Sequence, residues 1–230
     1  MTKALPIEVW ALDGCRQHRS DPQAPADSAR ALVWSFFGGQ EYGDAVADVL
    51  LGDAEPGGRL TMTFPRAAQD APVPDAVPSD DRLNYAEGLL VGHRGYDASG
   101  TQPLFAFGHG LGYTRWDLVS AAAATDARAS LARGEDALLT VRIRNSGDRR
   151  GRQVIQVYAD RVDGDENAPP RQLVGIATVE LDAGAEADAE VRIMPRALSH
   201  YSTGGWTLSD AQRLLRIGTS SRELPLTVTV

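Results

Sequence analysis

The sequence is short of cysteine, of long apolar runs and of positive charge. Cys15 is its single cysteine, so no disulfide can form within the chain. No apolar run approaches the ~20 residues that a membrane-spanning helix needs. The net charge of −8 argues against nucleic acid or an anionic membrane as a partner. The first residues also lack the pattern of a secretion signal, so we expect a cytoplasmic protein.

Sequence motifs for phosphate, nucleophile and metal chemistry are lacking as well. The glycine-rich residues 37–43 match neither the dinucleotide-binding spacing nor the phosphate-binding loop, and no Gly-x-Ser-x-Gly nucleophile motif occurs. Residues 163–167 resemble the start of a calcium loop, but Ala168 and Val174 stand where that loop needs glycine and glutamate. We therefore predict that the chain binds no metal and no cofactor. The histidines stand in no metal-ligand spacing: His18, His93, His109 and His200.

The early part of the chain has the pattern of a strand followed by a helix. Residues 31–37 form a continuous apolar run of strand length, which is typical of a strand covered on both faces. Val46, Val49 and Leu50 then recur at helical spacing, and Gly52 stands where a C-terminal helix cap belongs. The pattern predicts a buried strand that leads into a helix over residues 42–51.

Two further stretches extend this pattern to an α/β unit. Residues 6–12 and 59–64 predict strands, so that strand, helix and strand make one βαβ unit. Gln40 and Glu41 stand where their side chains can meet the unpaired amides of the first helical turn. Such a unit is not a domain by itself, because its sheet leaves long apolar edges that neighbours must cover.

From about Ser120 onward, short alternating stretches separated by turn residues replace the earlier pattern. Leu139, Val141 and Ile143 alternate with polar residues, as in a strand with one face in water. The series predicts an all-β sandwich of the immunoglobulin-like or fibronectin type III-like class. The predicted strands lie at 139–143, 154–158, 173–181, 191–193, 214–217 and 224–230.

The fold class is therefore an α/β remnant followed by an all-β sandwich. Residues 66–81 are rich in proline, aspartate and alanine and predict a linker or surface loop. We divide the chain into an α/β part with its linker (1–84), a connecting segment (85–119) and a β-sandwich (120–230).

An ordered series of motifs runs along the chain. Around the predicted helix stand Gly39-Gln-Glu41, Ala47-Asp-Val-Leu-Leu-Gly-Asp53, Pro56-x-Gly-Arg-Leu60 and Thr63-Phe-Pro65. The connecting segment contains Tyr85-x-Glu-Gly-Leu-x-Val-Gly-His-Arg-x-Tyr-Asp97 and Pro103-Leu-Phe-x-Phe-Gly-His-Gly-Leu-x-Tyr-Thr114. The sandwich contains Asn145-Ser-Gly-Asp148, Gln156-Val-Tyr158, Pro170-x-Gln-Leu-Val-Gly175 and Ile217-Gly-Thr-Ser-Ser221. Over residues 31–230 the series resembles glycoside hydrolase family 3, whose members include β-glucosidases and β-xylosidases.

The chain departs from the pattern of this family at a few loop positions. His93 stands where a tyrosine is common, and Gly112 where a serine is common. Phe37 replaces a common proline. We expect these changes to affect the details of the loops only.

The resemblance implies the C-terminal portion of a β-glucosidase-like enzyme: the end of an α/β-sandwich domain and a fibronectin type III-like domain. Members carry the nucleophile in an N-terminal (β/α)8 barrel, and the acid/base glutamate ahead of the part of the α/β domain retained here. Glu41 and Glu87 belong to other motifs. We therefore assign no catalytic residue and expect the chain to be inactive alone.

The resemblance also implies what a complete enzyme does. It implies retaining hydrolysis of a β-linked glucoside or xyloside through a covalent glycosyl intermediate. As partners we expect either a separate barrel-containing chain or a second copy of this chain.

A second hypothesis is a non-catalytic β-sandwich module that binds carbohydrate or protein. Modules that bind carbohydrate usually present a platform of aromatic side chains. We favour packing in the core or between domains for the aromatic residues available here: Trp116, Tyr158, Tyr201 and Trp206.

Overall fold

A computed structural model of the protein describes residues 7–10, 31–73, 77–78, 80–162 and 168–230. Two stretches with predictions fall outside these residues. One is the polar stretch 13–28, which contains Cys15 and His18. The other is the rejected calcium loop at 163–167.

The described residues of the α/β part include two parallel strands and an α-helix. Strand β1 (Ile7–Trp10) pairs in parallel with β2 (Ala31–Trp34), and Ile7 stands opposite Ala31. Helix α1 (Tyr42–Leu51) follows and ends at Gly52, which has a φ of 86°. The amide of Gly52 donates to the carbonyls of Asp48 and Val49, as in a left-handed C-terminal cap. The predicted helix and its cap are confirmed. The strand predicted to be buried over 31–37 ends at Trp34, and it is not buried, because Ala31 is exposed and Leu32, Val33 and Trp34 are half-buried.

Two predictions for the α/β part are wrong. Residues 59–64, all of them described, form no strand. Phe64 alone pairs in an antiparallel bridge with Phe105 of the connecting segment, and its ring packs edge-on at 4.6 Å from that of Trp34. Residues 59–64 form an extended segment with one buried ring, and such a segment can show the same alternation of apolar and polar residues as a strand.

The start of α1 also differs from the expectation. Glu41 precedes the helix with φ −90° and ψ 20°, and its side chain makes no capping hydrogen bond within the described part of the chain. A capping side chain needs an extended backbone at this position, which Glu41 does not have.

The connecting segment contains one short helix. Helix α2 (His93–Ser99) ends at Gly100, which has a φ of 70°. A 3₁₀ turn (Ala68–Asp70) precedes this segment in the linker. None of the described helices is both long and apolar enough to cross a membrane.

Two larger antiparallel sheets contain most of the strands described in the rest of the chain. The first has the order β3-β4-β7, formed by β3 (Trp116–Ala123), β4 (Ala137–Asn145) and β7 (Glu186–Ile193). The second has the order β11-β10-β5-β6, formed by β5 (Gly151–Asp160), β6 (Arg171–Leu181), β10 (Leu214–Gly218) and β11 (Leu226–Thr229). After Ser120, strands are therefore present in each of the six stretches where the alternation predicted one.

The inward faces of the two sheets share one hydrophobic core. Val141, Ile143 and Val191 of the first sheet and Ile155 and Ile217 of the second are each 0% exposed. They belong to a single cluster of buried residues, so the two sheets pack face to face.

Four α-helices or strands described in this region have no counterpart in the sequence patterns. They are β3, α3 (Ala127–Ala132) and the hairpin of β8 (Ser199–Ser202) and β9 (Gly205–Leu208). Apart from β3, each is so short that it spans few repeats of a periodic pattern.

Candidate functional site

The connecting segment is anchored on the second sheet of the sandwich by buried polar contacts, which we call the seam. The amide of Ser221 donates to the carbonyl of Phe107 at 2.9 Å. The side-chain amide of Gln156 donates to the carbonyls of Gly108, at 3.0 Å, and Thr219, at 2.6 Å. Gln156 therefore ties a loop of the connecting segment to the end of β10.

Gly108 and Tyr158 complete this part of the seam. Gly108 has a φ of 79°, and an added Cβ would lie 2.0 Å from Oε1 of Gln156, so the position needs glycine. The hydroxyl of Tyr158 donates to the same Oε1 at 2.6 Å. Tyr158 is fully buried, and burial raises the pKa of its phenol. The neutral phenol is thus retained as a hydrogen-bond donor.

His93 lies in the same seam, at the start of α2. Its ring stacks on Phe107 with a centroid distance of 4.8 Å and meets the edge of Tyr158 at 5.9 Å. Burial, with help from Arg94, Arg171 and Arg222, lowers the pKa of His93 from 6.5 to about 4. Its buried Nε2 has no hydrogen-bonding partner among the described residues. The neutral ring fills space as an aromatic residue does.

An ion pair joins α2 to the loop after β10. Asp97 is 6% exposed in its side chain, and Oδ1 lies 3.1 Å from Nη1 of Arg222. Nη2 of Arg222 also donates to the carbonyls of Tyr96 and Thr101, each at 3.2 Å. Burial raises the pKa of Asp97, and the nearby Arg222 and Arg171 oppose that rise only in part. Arg222 thus contacts the middle of α2 and the residue that follows its C-terminal cap.

A second carboxylate, that of Asp160 in the sheet beside the seam, is bound by two guanidinium groups. Its oxygens lie 3.1 Å from Nε of Arg171 and 2.8 Å from Nε of Arg216. Arg171 also donates to the carbonyl of Ser221 at 3.3 Å. Retaining hydrolysis needs two carboxyl groups about 5 Å apart across a substrate cleft, with at least one free to attack. Oδ1 of Asp97 and both oxygens of Asp160 are instead bound by arginines, while the buried Oδ2 of Asp97 has no hydrogen-bonding partner among the described residues. The pairing of Asp97 with Arg222 joins the connecting segment to the sandwich.

The remaining acidic and histidine candidates are dispersed. Glu41 is exposed, Glu87 lies half-buried in a turn, and His200 is exposed on β8. His109 stacks on Phe105, with a centroid distance of 5.6 Å, at the wall of a cavity of about 190 Å³. Among the described residues, no group of three or more His, Cys, Asp and Glu side chains is arranged to hold a metal ion.

The four aromatic candidates separate into two classes. Tyr158 is fully buried and Trp116 is half-buried, so neither offers an open ring. Tyr201 and Trp206 stand opposite each other on the β8–β9 hairpin, with ring centroids 5.3 Å apart, and are 70% and 51% exposed. Trp206 also lines a cavity of about 380 Å³. The structure thus brings two of the four together at the surface.

The seam was not predicted as a site. Asp97, Gln156 and Tyr158 lie within the motifs that carried the family resemblance, whereas Arg222 directly follows one. Their membership of these motifs was the available signal. Spacing along the chain cannot pair Asp97 with Arg222, because the two are far apart in sequence.

Two family models match this chain. The glycosyl hydrolase family 3 C-terminal domain matches residues 15–113, and the fibronectin type III-like domain matches residues 153–221. The two matches follow one another in the order expected from the motifs.

Curated relatives cover most of the chain. Thermostable beta-glucosidase B of Acetivibrio thermocellus is 34% identical over 87% of this chain and 26% of its own length. Beta-glucosidase B of Emericella nidulans is 35% identical over 86% of this chain and 24% of its own length. The chain therefore spans about a quarter of the length of the relatives it matches.

Solved structures agree with this picture. DesR, a beta-glucosidase from Streptomyces venezuelae solved in complex with D-glucose, matches with a TM-score of 0.81 and 32% identity over 89% of this chain and 26% of that one. Beta-glucosidase 3B from Thermotoga neapolitana, in complex with alpha-D-glucose, matches with a TM-score of 0.78 and 31% identity over 89% of this chain and 28% of that one.

Proposed function

This chain belongs to glycosyl hydrolase family 3, of which it represents the C-terminal portion, and we propose that it serves a β-glucosidase-like enzyme as a non-catalytic scaffold. The complete enzyme hydrolyses a β-linked glucoside or xyloside with retention, through a covalent glycosyl intermediate. Both catalytic carboxyl groups come from outside the residues of this chain. The β-sandwich is of the fibronectin type III-like class and forms the base on which the α/β part rests.

The observation that carries this proposal is the burial and the pairing of Asp97, a carboxylate of the seam. Asp97 is only 6% exposed, is paired with Arg222, and through that arginine supports the backbone of α2. A nucleophile or an acid/base has to reach the substrate and change its bonding during the reaction. A carboxylate held in this way stabilises the fold instead.

We also propose that further polypeptide covers the α/β part. Every residue of α1 is described and none is buried, and Leu51 is 78% exposed. Phe37, at the turn after β2, is 70% exposed. A two-stranded parallel sheet with an uncovered helix is not a stable unit alone. A barrel-containing portion fits this surface best, and a second copy of this chain is the alternative.

The activity of the isolated chain is the first test. We expect the purified chain to leave an aryl β-glucoside unhydrolysed at any concentration tested, measured by release of the aryl alcohol. Turnover that a single substitution in this chain abolishes would overturn the scaffold role.

A chimera provides the positive arm of the test. In it, this chain replaces the corresponding C-terminal region of thermostable beta-glucosidase B of Acetivibrio thermocellus. We expect the chimera to hydrolyse the aryl β-glucoside. Asp97→Asn in the chimera should lower the melting temperature but leave kcat of the folded enzyme within about twofold, because a structural carboxylate contributes to folding rather than to the transition state. Loss of kcat in a folded Asp97→Asn chimera would contradict the proposal.

A further inference from the structure

A cavity of about 380 Å³ lies beside the β8–β9 hairpin, outside the seam. Its apolar lining includes Leu131 of α3, Leu198 and Leu208, of which Leu131 and Leu198 are buried. The indole of Trp206 stands among the lining residues and is 51% exposed. The cavity thus combines an apolar lining with an accessible aromatic ring.

Trp206 is held in place by two residues that do not line the cavity. The guanidinium carbon of Arg196 lies 4.4 Å from the centroid of the Trp206 ring, a cation–π contact. Tyr201 meets the same ring at 5.3 Å with an interplanar angle of 62°. Because these contacts come from outside the cavity, they orient the indole while leaving it in the lining. An aromatic ring fixed before binding loses little freedom when a ligand stacks on it.

Polar groups around the same cavity are also fixed by the fold. Arg213 donates from Nη2 to the carbonyl of Leu198 at 3.1 Å. Ser199 donates from its hydroxyl to the carbonyl of Pro195 at 2.8 Å. Arg128 donates to the backbone carbonyl of Asp210. All of these residues line the cavity, so hydrogen-bonding groups surround the apolar part.

A pyranose ring matches this arrangement. It has an apolar C–H face that can lie on an aromatic ring, and a rim of hydroxyl groups that exchange hydrogen bonds with polar side chains. A ligand site of this kind is concave, largely apolar and equipped with a few placed polar groups. We propose that the cavity binds one sugar ring, stacked against the indole of Trp206.

The charges of the lining determine which sugars to compare. Among the side chains of the lining, Arg128 and Arg213 carry two positive charges and Asp210 carries one negative charge, although the side chains of the whole chain sum to −8. A neutral glucoside and a glucuronide share the ring that stacks on Trp206. The glucuronide alone adds a carboxylate that can pair with a guanidinium group.

Isothermal titration calorimetry of the whole chain with cellotetraose, methyl β-glucoside and methyl β-glucuronide tests the proposal. We expect saturable binding in the millimolar range for at least one of them. Trp206→Ala should weaken this binding at least ~10-fold, and Trp206→Phe should weaken it about 3-fold, because a smaller ring still stacks. Absence of saturable heat with all three sugars would overturn the proposal.

The matched control is Tyr85→Ala, which removes another exposed aromatic ring, 74% exposed, from the connecting segment. It should bind sugar as the parent does, and circular dichroism checks that every variant is folded. Tighter binding of the glucuronide, lost in Arg128→Gln, would assign an acidic sugar, whereas equal binding would assign a neutral one. If Trp206→Ala binds as the parent does, or changes only the oligomeric state, the cavity is not a sugar site.

Discussion

In the β-sandwich, Val141, Ile155 and Ile217 are fully shielded from solvent, whereas none of the ten residues of α1 is buried. Both regions have clear apolar patterns in the sequence. Burial contributes about 25 cal/mol for each Å² of apolar surface removed from water, so only the sandwich gains the full benefit of its pattern. A helix shorter than ~12 residues is marginal in water without tertiary packing. Burial within this chain therefore stabilises the sandwich more than it stabilises α1.

The two regions meet through polar contacts rather than through a shared apolar core. Arg149 donates to the carbonyl of Gly52 at 2.6 Å, just after α1. Arg59 donates to Oε1 of Gln153 at 2.6 Å, which connects the stretch after α1 to β5. Between the two regions, the amide of Tyr113 in the connecting segment donates to the carboxylate of Glu55 at 3.1 Å. These contacts orient the α/β part on the sandwich but leave the apolar residues of α1 uncovered.

The largest expected difference between the two regions comes from removing an apolar side chain from each in turn and comparing the losses of stability. Ile155→Ala should lower the free energy of unfolding by about 2–5 kcal/mol, because it opens a cavity at a site that is 0% exposed. Leu51→Ala, at 78% exposure, should change it by less than about 0.5 kcal/mol. Urea unfolding followed by circular dichroism measures both. Similar losses for the two variants would show that α1 is covered in solution.

The same contrast explains which parts of the fold were predictable from sequence. Val46, Val49 and Leu50 predicted α1 at its observed residues, because spacing reports which face of a helix is apolar. Spacing does not report what covers that face, and Leu50 remains 39% exposed. The alternation at 59–64 was misread for a related reason, since only Phe64 of that stretch is buried.

The contacts of the candidate site were harder to predict from the sequence than the strands were. Alternation located the strands of the sandwich because each strand packs against one core. The ion pair of Asp97 with Arg222 and the hydrogen bonds of Gln156 join residues far apart in sequence, which no local pattern can pair. Trp206 and Tyr201 were named as candidates, but only the β8–β9 register brings them together.

A somewhat smaller effect is expected where the connecting segment meets the sandwich. Gly108→Ala should cost roughly 2–3 kcal/mol of unfolding free energy, because the new methyl displaces the amide of Gln156 and leaves its buried partners unpaired. Gly134→Ala is a matched control, since Gly134 has the same φ of 79° but nothing within 4 Å of an added Cβ.

Both glycine variants carry the same backbone strain. The difference between their unfolding free energies therefore measures the contribution of the contact with Gln156. Gly134→Ala should cost about 1 kcal/mol, the usual penalty for alanine at a positive φ. Thermal and urea unfolding give both values. Equal losses would mean that Gln156 does not tie the connecting segment to the sandwich.

The smallest expected effect is a pH dependence that His93 brings to the seam. The pKa of His93 is about 4 in the folded protein, against 6.5 when it is unperturbed. Between these pH values the unfolded state binds more protons than the folded state, so stability falls as the pH is lowered from 6.5 to 4. We expect a loss of roughly 2 kcal/mol, less than the full pKa difference implies, because the ring is partly exposed and solvent screens its charge.

His93→Phe should remove this pH dependence, because phenylalanine keeps the stacking on Phe107 and cannot bind a proton. Asp97, whose raised pKa acts in the opposite direction at acidic pH, is present in both proteins, so the difference between them reports His93 alone. His200→Phe, at an exposed position on β8, is the control and should keep the parental slope. Urea midpoints measured across this pH range decide the question. If the dependence of stability on pH persists in His93→Phe, a group other than His93 is responsible for it. The connecting segment would then be no more sensitive to acid than the sandwich.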